Sequence, residues 1–403
     1  MKKNQFLSLL PLLAVMAGCN VTVNQDGVEV ITASNIDDEA DLTEIAYDFK
    51  IHPLKSDEPL DGIGGIKSWG NVMLARTNDD RKILRFDDYR LTSVLNRLGR
   101  GPGEYTYIED FSYDAFDNVI YIENDSNLVT YDANTMEFIR KQPVNLSIQN
   151  ILNLGDRMLY FGVLLDDYRD RGDETRLVMP KESMILADRK EYDLKKGKVL
   201  YQEAYLARIL LSYPELFYVN PKNLSTCIPG DIHRIVTFQD DTLKDVYRFM
   251  LGNAVIPASL YQALQKEEYE IDEISSISQE LSTFRQQNPY IGTVFNIMVD
   301  DKTVSFRMSY GSNGQLGNDS KYLYFVHHID KDTKVYKHLR IPGLALDIDP
   351  TGCNGNHQIA VIENLGSAAI DENTRMSDLG QKIIDELKKQ NDDNPVMLEF
   401  RFK

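Results

Sequence analysis

Residues 119–140 decide the fold. They read Val119-Ile-Tyr-Ile-Glu123, Asn124-Asp-Ser126, Leu128-Val-Thr-Tyr131, Asp132-Ala-Asn-Thr135 and Met136-Glu-Phe-Ile-Arg140. Each short apolar run is rich in β-branched and aromatic residues, and each is bounded by Asx or Ser. Such runs are strands, and the polar breaks between them are tight turns. One more run, at 108–113, precedes the turn at Asp117-Asn118 and makes four strands.

The same order stands immediately upstream. Ile63-Gly-Gly-Ile-Lys-Ser-Trp69 is followed by Gly70-Asn71, Val72-Met-Leu-Ala-Arg76, Asn78-Asp-Asp80, Lys82-Ile-Leu-Arg-Phe86, Asp87-Asp88 and a strand at 91–98. A repeat of about 40 to 50 residues with four strands is the pattern of a β-propeller blade. Looser copies follow at 148–200, 211–250, from about 293, and from 343 through Gln358-Ile-Ala-Val-Ile362. The third holds a charged loop at 166–174. The expected fold is therefore all-β, a six-bladed propeller over residues 45–403.

Two stretches leave the β pattern. Residues 257–287 read as a helical insertion: Pro257 suits a first helical turn, and Ile274, Ile277, Leu281 and Phe284 share a face. Residues 376–389 read as a second helix, with Leu379, Ile383 and Leu387 in one stripe. The chain then ends in Val396-Met-Leu-Glu-Phe-Arg-Phe402, an alternating strand with no room for another blade. A ring has to close, so this strand is expected in the sixth blade, beside one supplied from 45–54.

The other terminus addresses the chain. Met1-Lys-Lys3 precedes an apolar run from Phe6 to Ala17, and the run ends in Met16-Ala-Gly-Cys19. A basic start, a short apolar core and small residues at a cut site make an export signal. The last four residues resemble the lipobox of bacterial lipoproteins, which implies that residues 1–19 carry the signal and that Cys19 becomes a lipidated first residue. Residues 20–44 contain Asp26, Glu29, Asp37, Asp38, Glu39, Asp41 and Glu44. They read as a flexible acidic tether, because such composition buries too little apolar surface to offset its ordering entropy. Asn20-Val-Thr-Val-Asn24 lacks the acidic run that resembles a surface-export signal. The expected location is thus the outer membrane, lipid-anchored, with the periplasmic face favoured over the cell surface.

Charge narrows the partners. The net charge is −18, and it becomes two units more negative once Lys2 and Lys3 leave with the signal. Such a surface repels phosphate backbones, so nucleic acid is excluded as a partner. Apart from Cys19, only Cys227 and Cys353 remain, far apart and outside any metal-like spacing. Whether they are bonded stays open.

Between the first two units lies Leu98-Gly-Arg-Gly-Pro-Gly-Glu-Tyr105. Two glycines around a proline make a rigid bend from the outer strand of one blade to the inner strand of the next. That places Arg100, Glu104 and Tyr105 as candidates at the mouth of the central channel; alternatively, Arg100 and Glu104 pair and only hold the loop. Here the chain resembles the six-bladed β-propeller lipoproteins of Bacteroidetes. They carry Gly-x-Gly-Pro-Gly-Glu-aromatic after the first blade, as Gly99-Arg-Gly-Pro-Gly-Glu-Tyr105 does. The resemblance extends over about 45–402 and supplies no catalytic residues. The family is distantly similar to NHL-type and TolB-like propellers, which implies binding of a protein, peptide or glycan.

Catalytic motifs are missing: no nucleophile elbow, no HExxH, no phosphate loop. The glycines at 62–65 lack the following helix of a dinucleotide site and read as a bend. His327 and His328 are neighbours on a strand and point to opposite faces. Some six-bladed propellers are enzymes that hold calcium at the channel, and calcium wants six to eight oxygens. Candidates are Glu104, Asp110, Asp347 and Asp349, with Asp114, Asn118 and Asn354 nearby in turns. The sequence therefore favours a non-enzymatic, membrane-anchored binding scaffold without a cofactor. A calcium-dependent hydrolase or lyase at the channel is the alternative.

Overall fold

The structure is a computed structural model. It describes residues 22–23, 29–33, 36–57, 59–60, 62–108, 110–124, 126–164, 176–204, 218–219, 224–228, 231–251, 257–288, 290–299, 302–311, 321–328, 333–364, 366, 370–390 and 394–403. The leader, Cys19 and the charged loop at 166–174 lie outside them.

Six sheets follow one another along the chain, each antiparallel through its four main strands. The first is built from Ile63–Trp69, Val72–Thr77, Ile83–Asp87 and Arg90–Leu95. The second has Phe111–Asp114, Val119–Asn124, Asn127–Asp132 and Phe138–Pro143. Leu146–Asn153, Arg157–Leu164, Lys181–Asp188 and Lys198–Ala204 make the third, and Tyr218–Val219, Leu224–Ile228, Asp231–Gln239 and Thr242–Leu251 the fourth. The fifth holds Tyr290–Val299, Thr303–Gly311, Lys321–His328 and Thr333–Arg340. In the sixth, Pro350–Asn354 and His357–Ile362 are joined by Val396–Phe402 and then by Ala46–Pro53. The ring closes as expected, with both ends of the chain in one blade.

Alternation explains why the middle strands are buried on both faces. Successive side chains point to opposite faces of a strand, and each blade is packed on both faces. Ile120 and Ile122 therefore enter the seam with blade one, while Val119 and Tyr121 enter the seam with blade three. All six residues of Val119–Asn124 are buried. Each seam between consecutive blades has its own cluster of buried side chains, including the seam between blades six and one, where Ile359 and Met397 meet Phe86 and Met73.

The turns use residues that tolerate positive φ. Asp88 and Tyr89, at φ 48° and 63°, join the last two strands of blade one. Asp240 and Asp241, at 52° and 56°, do the same in blade four. Two consecutive left-handed residues match the twist of flanking strands.

The expectation of a flexible tether at 20–44 is corrected where the structure describes it, at 22–23, 29–33 and 36–44. Glu29–Ala33 pairs in parallel with Thr242–Leu251 at the outer edge of blade four, with Thr22–Val23 beside it. Asp37–Asp41 pairs in parallel with Thr333–Arg340 at the outer edge of blade five. The segment then enters blade six, so it straps three consecutive blades. An outermost strand needs only backbone partners and can leave its side chains in water, as Asp37, Asp38 and Glu39 do. Lys337 pairs with Asp38, and Arg340 lies 3.5 Å from Glu39. The strap is also fastened by burial: Ala40 and Leu42 sit in the seam of blades five and six.

The helical insertion is also corrected in detail. It comprises Ala258–Ala263 and Ile271–Gln287, with Glu268–Glu270 between them. That short strand pairs with Arg176–Val178 in a separate two-stranded sheet, which lies in the chain between the second and third strands of blade three. Tyr269 forces the break: its ring is fully buried, and its hydroxyl donates to the Ala263 carbonyl at 2.9 Å. Ile277 and Leu281 pack into the seam of blades four and five, with Ile274 and Phe284 against them. The C-terminal helix, Asp378–Lys389, is capped by Ser377, which accepts from the Gly380 amide, and it buries Ile383, Ile384 and Leu387. No helix among the described residues is long and apolar enough to cross a membrane.

Candidate functional site

The sequence candidates scatter. Tyr105 is fully buried, away from the axis; its hydroxyl donates to the Arg81 carbonyl at 2.8 Å and accepts from the Arg97 amide at 3.2 Å. Desolvation pushes its phenol up to about 12. Glu104 accepts from the Gly101 amide at 2.7 Å, so the motif staples itself through its own backbone. A Cβ on Gly99 would lie 1.9 Å from the Glu104 carboxylate, and one on Gly103 would lie 2.7 Å from the Phe138 ring. Phe138 belongs to the outer strand of blade two. The motif therefore fills the peripheral end of a seam and lines no part of the axis, which corrects its placement at the channel mouth. Arg100 is exposed there.

The metal candidates do not meet. Asp347 lies 2.8 Å from His338 Nδ1 and 3.6 Å from Arg340 Nε, while Asp349 is bound by Arg307. Asp114 is fully buried and paired with Arg189 at 2.8 Å. Asn118 accepts from Arg85 and Tyr113, and Asn354 donates to Glu399. Among the described residues, no three His, Cys, Asp or Glu side chains are placed to share an ion. His327 Nδ1 lies 2.9 Å from Thr333 Oγ1, and His328 Nδ1 faces the Lys403 carbonyl instead.

Asp110 alone reaches the axis. The inner strands of neighbouring blades touch one another there, and those of blades one, two, three and six enclose a cavity of about 80 Å³. Asp110 accepts from Lys67 at 2.5 Å and from the Ile151 amide at 3.2 Å. Lys67 also donates to the Phe111 carbonyl and lies over its ring. One carboxylate thus ties three inner strands, with an ammonium where a cation would sit. Arg76, also in the wall, is held by the Ile108 carbonyl and by Asp80, both at 3.0 Å. The charges of the cavity are therefore paired within the protein.

Three inner strands are bulged beside this cavity. Register shifts lie between Gly64 and Lys67, between Ile148 and Asn150, and between Pro350 and Gly352, where Thr351 is the extra residue. A bulge re-aims side chains and is enriched next to sites. The glycine cluster read as a bend is the first of these, with Gly65 at φ 53°. In blade six, Gly352 lets the strand approach blade one: a Cβ there would lie 3.0 Å from the Ile66 carbonyl.

Polar residues beside the bulges are buried in the cavity wall. Asn150 is 4% exposed and Asn153 is 7% exposed. Asn150 Oδ1, Asn153 Nδ2 and Thr351 Oγ1 have no hydrogen-bond partner among the described residues, and all three residues line the cavity. Leaving such a group unsatisfied costs about 1–3 kcal/mol. Their own positions are fixed: Asn153 Oδ1 accepts from Gly155 at 2.6 Å, and its amide donates to Ser112 at 3.1 Å. Trp69, the only tryptophan, stands at the rim and is 47% exposed. Cys353 lines the wall as a thiol whose pKa burial pushes up to about 12, so it stays protonated.

Sequence reasoning missed Asn150, Asn153, Thr351 and Trp69. Four distant blades contribute the wall, so no local motif marks it. A faint signal existed: three amides, Gln149, Asn150 and Asn153, stand in the inner strand Leu146–Asn153, where half of the residues are apolar.

Six sheets closed around this axis define a six-bladed β-propeller. The chain belongs to the DUF5128 family of 6-bladed β-propellers, whose model matches residues 20–283. A structure of a Bacteroides fragilis protein designated as exported has 15% identity and a TM-score of 0.64, covering 93% of this chain and 99% of its own. A DUF4221 family member from Bacteroides vulgatus has 10% identity and a TM-score of 0.46, covering 89% and 98%. No curated protein sequence matches.

Proposed function

We propose that this propeller is an exported, lipid-anchored scaffold that binds a component of the cell envelope (a protein, peptide or glycan) in the cavity on its axis, without catalysing a reaction. The observation that carries this reading is the axial cavity itself, walled by the inner strands of four blades, with its charges paired inside the protein and the half-exposed Trp69 at its rim. Pockets with a few convergent polar groups are the usual form of a ligand site. The leader ending in Cys19 supports export and a lipid anchor at the outer membrane, with the periplasmic face favoured. The export designation of the Bacteroides fragilis protein agrees with it.

Trp69 is a reporter for the test, being the single tryptophan and standing at the rim. Its emission is followed while neutral sugars, dipeptides and small carboxylic acids are added to the purified protein. A saturable change with any of them, accompanied by a raised melting midpoint, is the expected result. No change across all three sets would overturn the reading. Anchoring is read separately: Cys19→Ala should shift the protein from the membrane fraction to the soluble fraction. Digestion by protease on intact cells would move it to the surface instead.

A further inference from the structure

Resting on the reading of Cys19 as the lipidated residue, we infer that the bilayer seats against the outer edge of blade four and the helical insertion beside it, so that Trp69 and the cavity rim are turned towards water. The length of chain between the anchor and the fold carries this. Thr22–Val23 is paired with Glu29–Ala33, which lies along Thr242–Leu251 at the outer edge of blade four. Only Asn20 and Val21 separate Cys19 from Thr22. Three residue steps span at most about 11 Å, roughly two strand spacings. The lipid is therefore held at that edge. Direction follows from the pairing. The inner strand of blade one ends at Trp69, and up-and-down alternation sends the fourth strand of every blade away from that end of the axis. Glu29–Ala33 runs parallel to the fourth strand of blade four, and Thr22–Val23 runs antiparallel to Glu29–Ala33. The side of Thr22 on which the anchor joins thus points to the end of the axis away from Trp69.

The surface at that end suits a bilayer. The helical insertion joins the last strand of blade four to the inner strand of blade five, so it lies at the same end. Its Leu260, Tyr269 and Ile277 pack in one cluster with Tyr247 of blade four and Ile36 of the strap. Around its small sheet stand three exposed apolar side chains: Leu177, Val178 and Ile271 are 37%, 41% and 54% exposed. Leu177 is in register with Tyr269, and Ile271 opens the helix two residues later. Apolar groups held beside a bilayer by a lipid gain free energy by entering its interfacial layer. Charge does not drive the contact. The chain carries a net charge of −18, and Lys181 and Lys266 in this region are paired with Glu267 and Glu273. The surface therefore suits apolar contact under an anchor, and not the polybasic docking that anionic lipid favours. In a ring of six, blade one stands opposite blade four. Trp69 thus lies across the ring from the bilayer and at the other end of the axis, and a ligand reaches the cavity from the aqueous side.

The experiment places the detergent-extracted full chain in phosphatidylcholine vesicles with brominated acyl chains, and compares tryptophan emission with that in unbrominated vesicles. Bromine quenches an indole only near the acyl chains. The parent carries Trp69 alone, and its emission should be the same in both. In a Trp69→Phe background, Ile271→Trp and, separately, Leu177→Trp should lose emission in the brominated vesicles. Val94→Trp, at a position 42% exposed on the outer strand of blade one, should keep it. Equal quenching at 94 and 271 would overturn the orientation, and so would quenching of Trp69 in the parent. Bright indoles at both 271 and 177 would overturn it too, because the propeller would then stand clear of the bilayer. Flotation with the vesicles keeps this apart from the anchor itself. A parent that fails to float, or a Cys19→Ala variant that floats equally well, would overturn the anchor and the orientation with it. A parent that floats while 271 and 177 stay bright would overturn the orientation alone. The substituted positions are exposed, so the melting midpoints should stay near that of the parent.

Discussion

Tyr89 donates its hydroxyl to Glu399 at 3.0 Å, across the seam where the sixth blade meets the first. The two residues are 310 positions apart in the chain, and Glu399 is 1% exposed. Tyr89 holds a left-handed backbone to make the contact, with φ 63°. Asn354 donates to the same oxygen at 2.9 Å, and Lys50 lies 3.8 Å from the other. A buried carboxylate is thereby satisfied by both ends of the ring. Tyr89→Phe keeps the ring and removes the donor to a charged acceptor. It should cost about 1.5–3 kcal/mol, towards the lower end because Asn354 remains. A denaturant midpoint that does not move, at constant m-value, would refute the role.

His52 makes this seam sensitive to acid. Its ring stacks on Tyr89 at 3.8 Å between centroids. Burial lowers its pKa below the usual 6.5, against the opposing pull of Glu399. The unfolded chain then binds the proton more readily than the folded one, so stability rises with pH in this range. It should be complete above pH 6.5 and decline as pH falls from 6.5 towards the folded pKa. His52→Phe retains the stack and should flatten that part of the melting-midpoint profile. An identical profile in the variant would place the acid sensitivity elsewhere.

The glycine motif should behave as packing. A Cβ on Gly103 meets the Cβ and ring of Phe138, neither of which is a free chain end. Gly103→Ala should therefore cost about 1–3 kcal/mol, the usual range for overpacking. Arg100→Ala, three positions earlier and exposed, should fall within about 0.5 kcal/mol of the parent. Both are read from thermal melts, and a larger loss at Arg100 than at Gly103 would contradict the peripheral placement of this loop.

The strap carries the sharpest departure from the sequence expectation. Leu42 lies in a stretch that reads as solvated tether, yet it is fully buried. Leu42→Ala should cost about 2–4 kcal/mol, as for other buried leucines. In a tether the same change would be silent. Beginning the chain at residue 46 removes both strap strands and should lower the melting midpoint further while leaving the six blades in place. An unchanged midpoint would restore the tether.

How much was legible follows from where the signal lies. Blades one, two and six could be read because their strands bury side chains on both faces, which writes apolar runs such as Val119–Asn124 and Val396–Phe402 into the chain. Closure by 45–54 was legible for another reason, that a ring has to close, since Ala46–Pro53 is an outer strand with only Ala46 buried. Asp37–Asp41 was not: it pairs through its backbone at an open edge, and its first three side chains stay in water. Hydrophobic periodicity is blind to such a strand. The Gly-Pro-Gly-Glu stretch marked a special loop correctly but not its address. That depended on Tyr105 being drawn into the seam by Tyr131, Leu95 and Ile108. The cavity was hidden because its polar groups come from strands far apart in sequence and are aimed by bulges that no composition rule reveals.

Asp110 decides between an ion pair and an ion site on the axis. Lys67 and Asp110 side chains are 28% and 17% exposed, so their contact is only partly screened. If Lys67 is the standing partner, Asp110→Asn leaves an ammonium facing a neutral amide in a wall that also loses its best acceptor for the Ile151 amide. The cost should be about 1–3 kcal/mol, and it should be the same in excess EDTA and in excess calcium. The parent protein should melt at one temperature in both. A calcium site would give the opposite pattern: a parent stabilised by calcium, and an Asp110→Asn penalty confined to the calcium arm. Lys67→Met separates the two further. Removing the ammonium from an ion pair strands Asp110 and destabilises. Removing it from beside an ion would relieve repulsion and tighten calcium, so the sign of the calcium-dependent shift in that variant assigns the cation that Asp110 was built to hold.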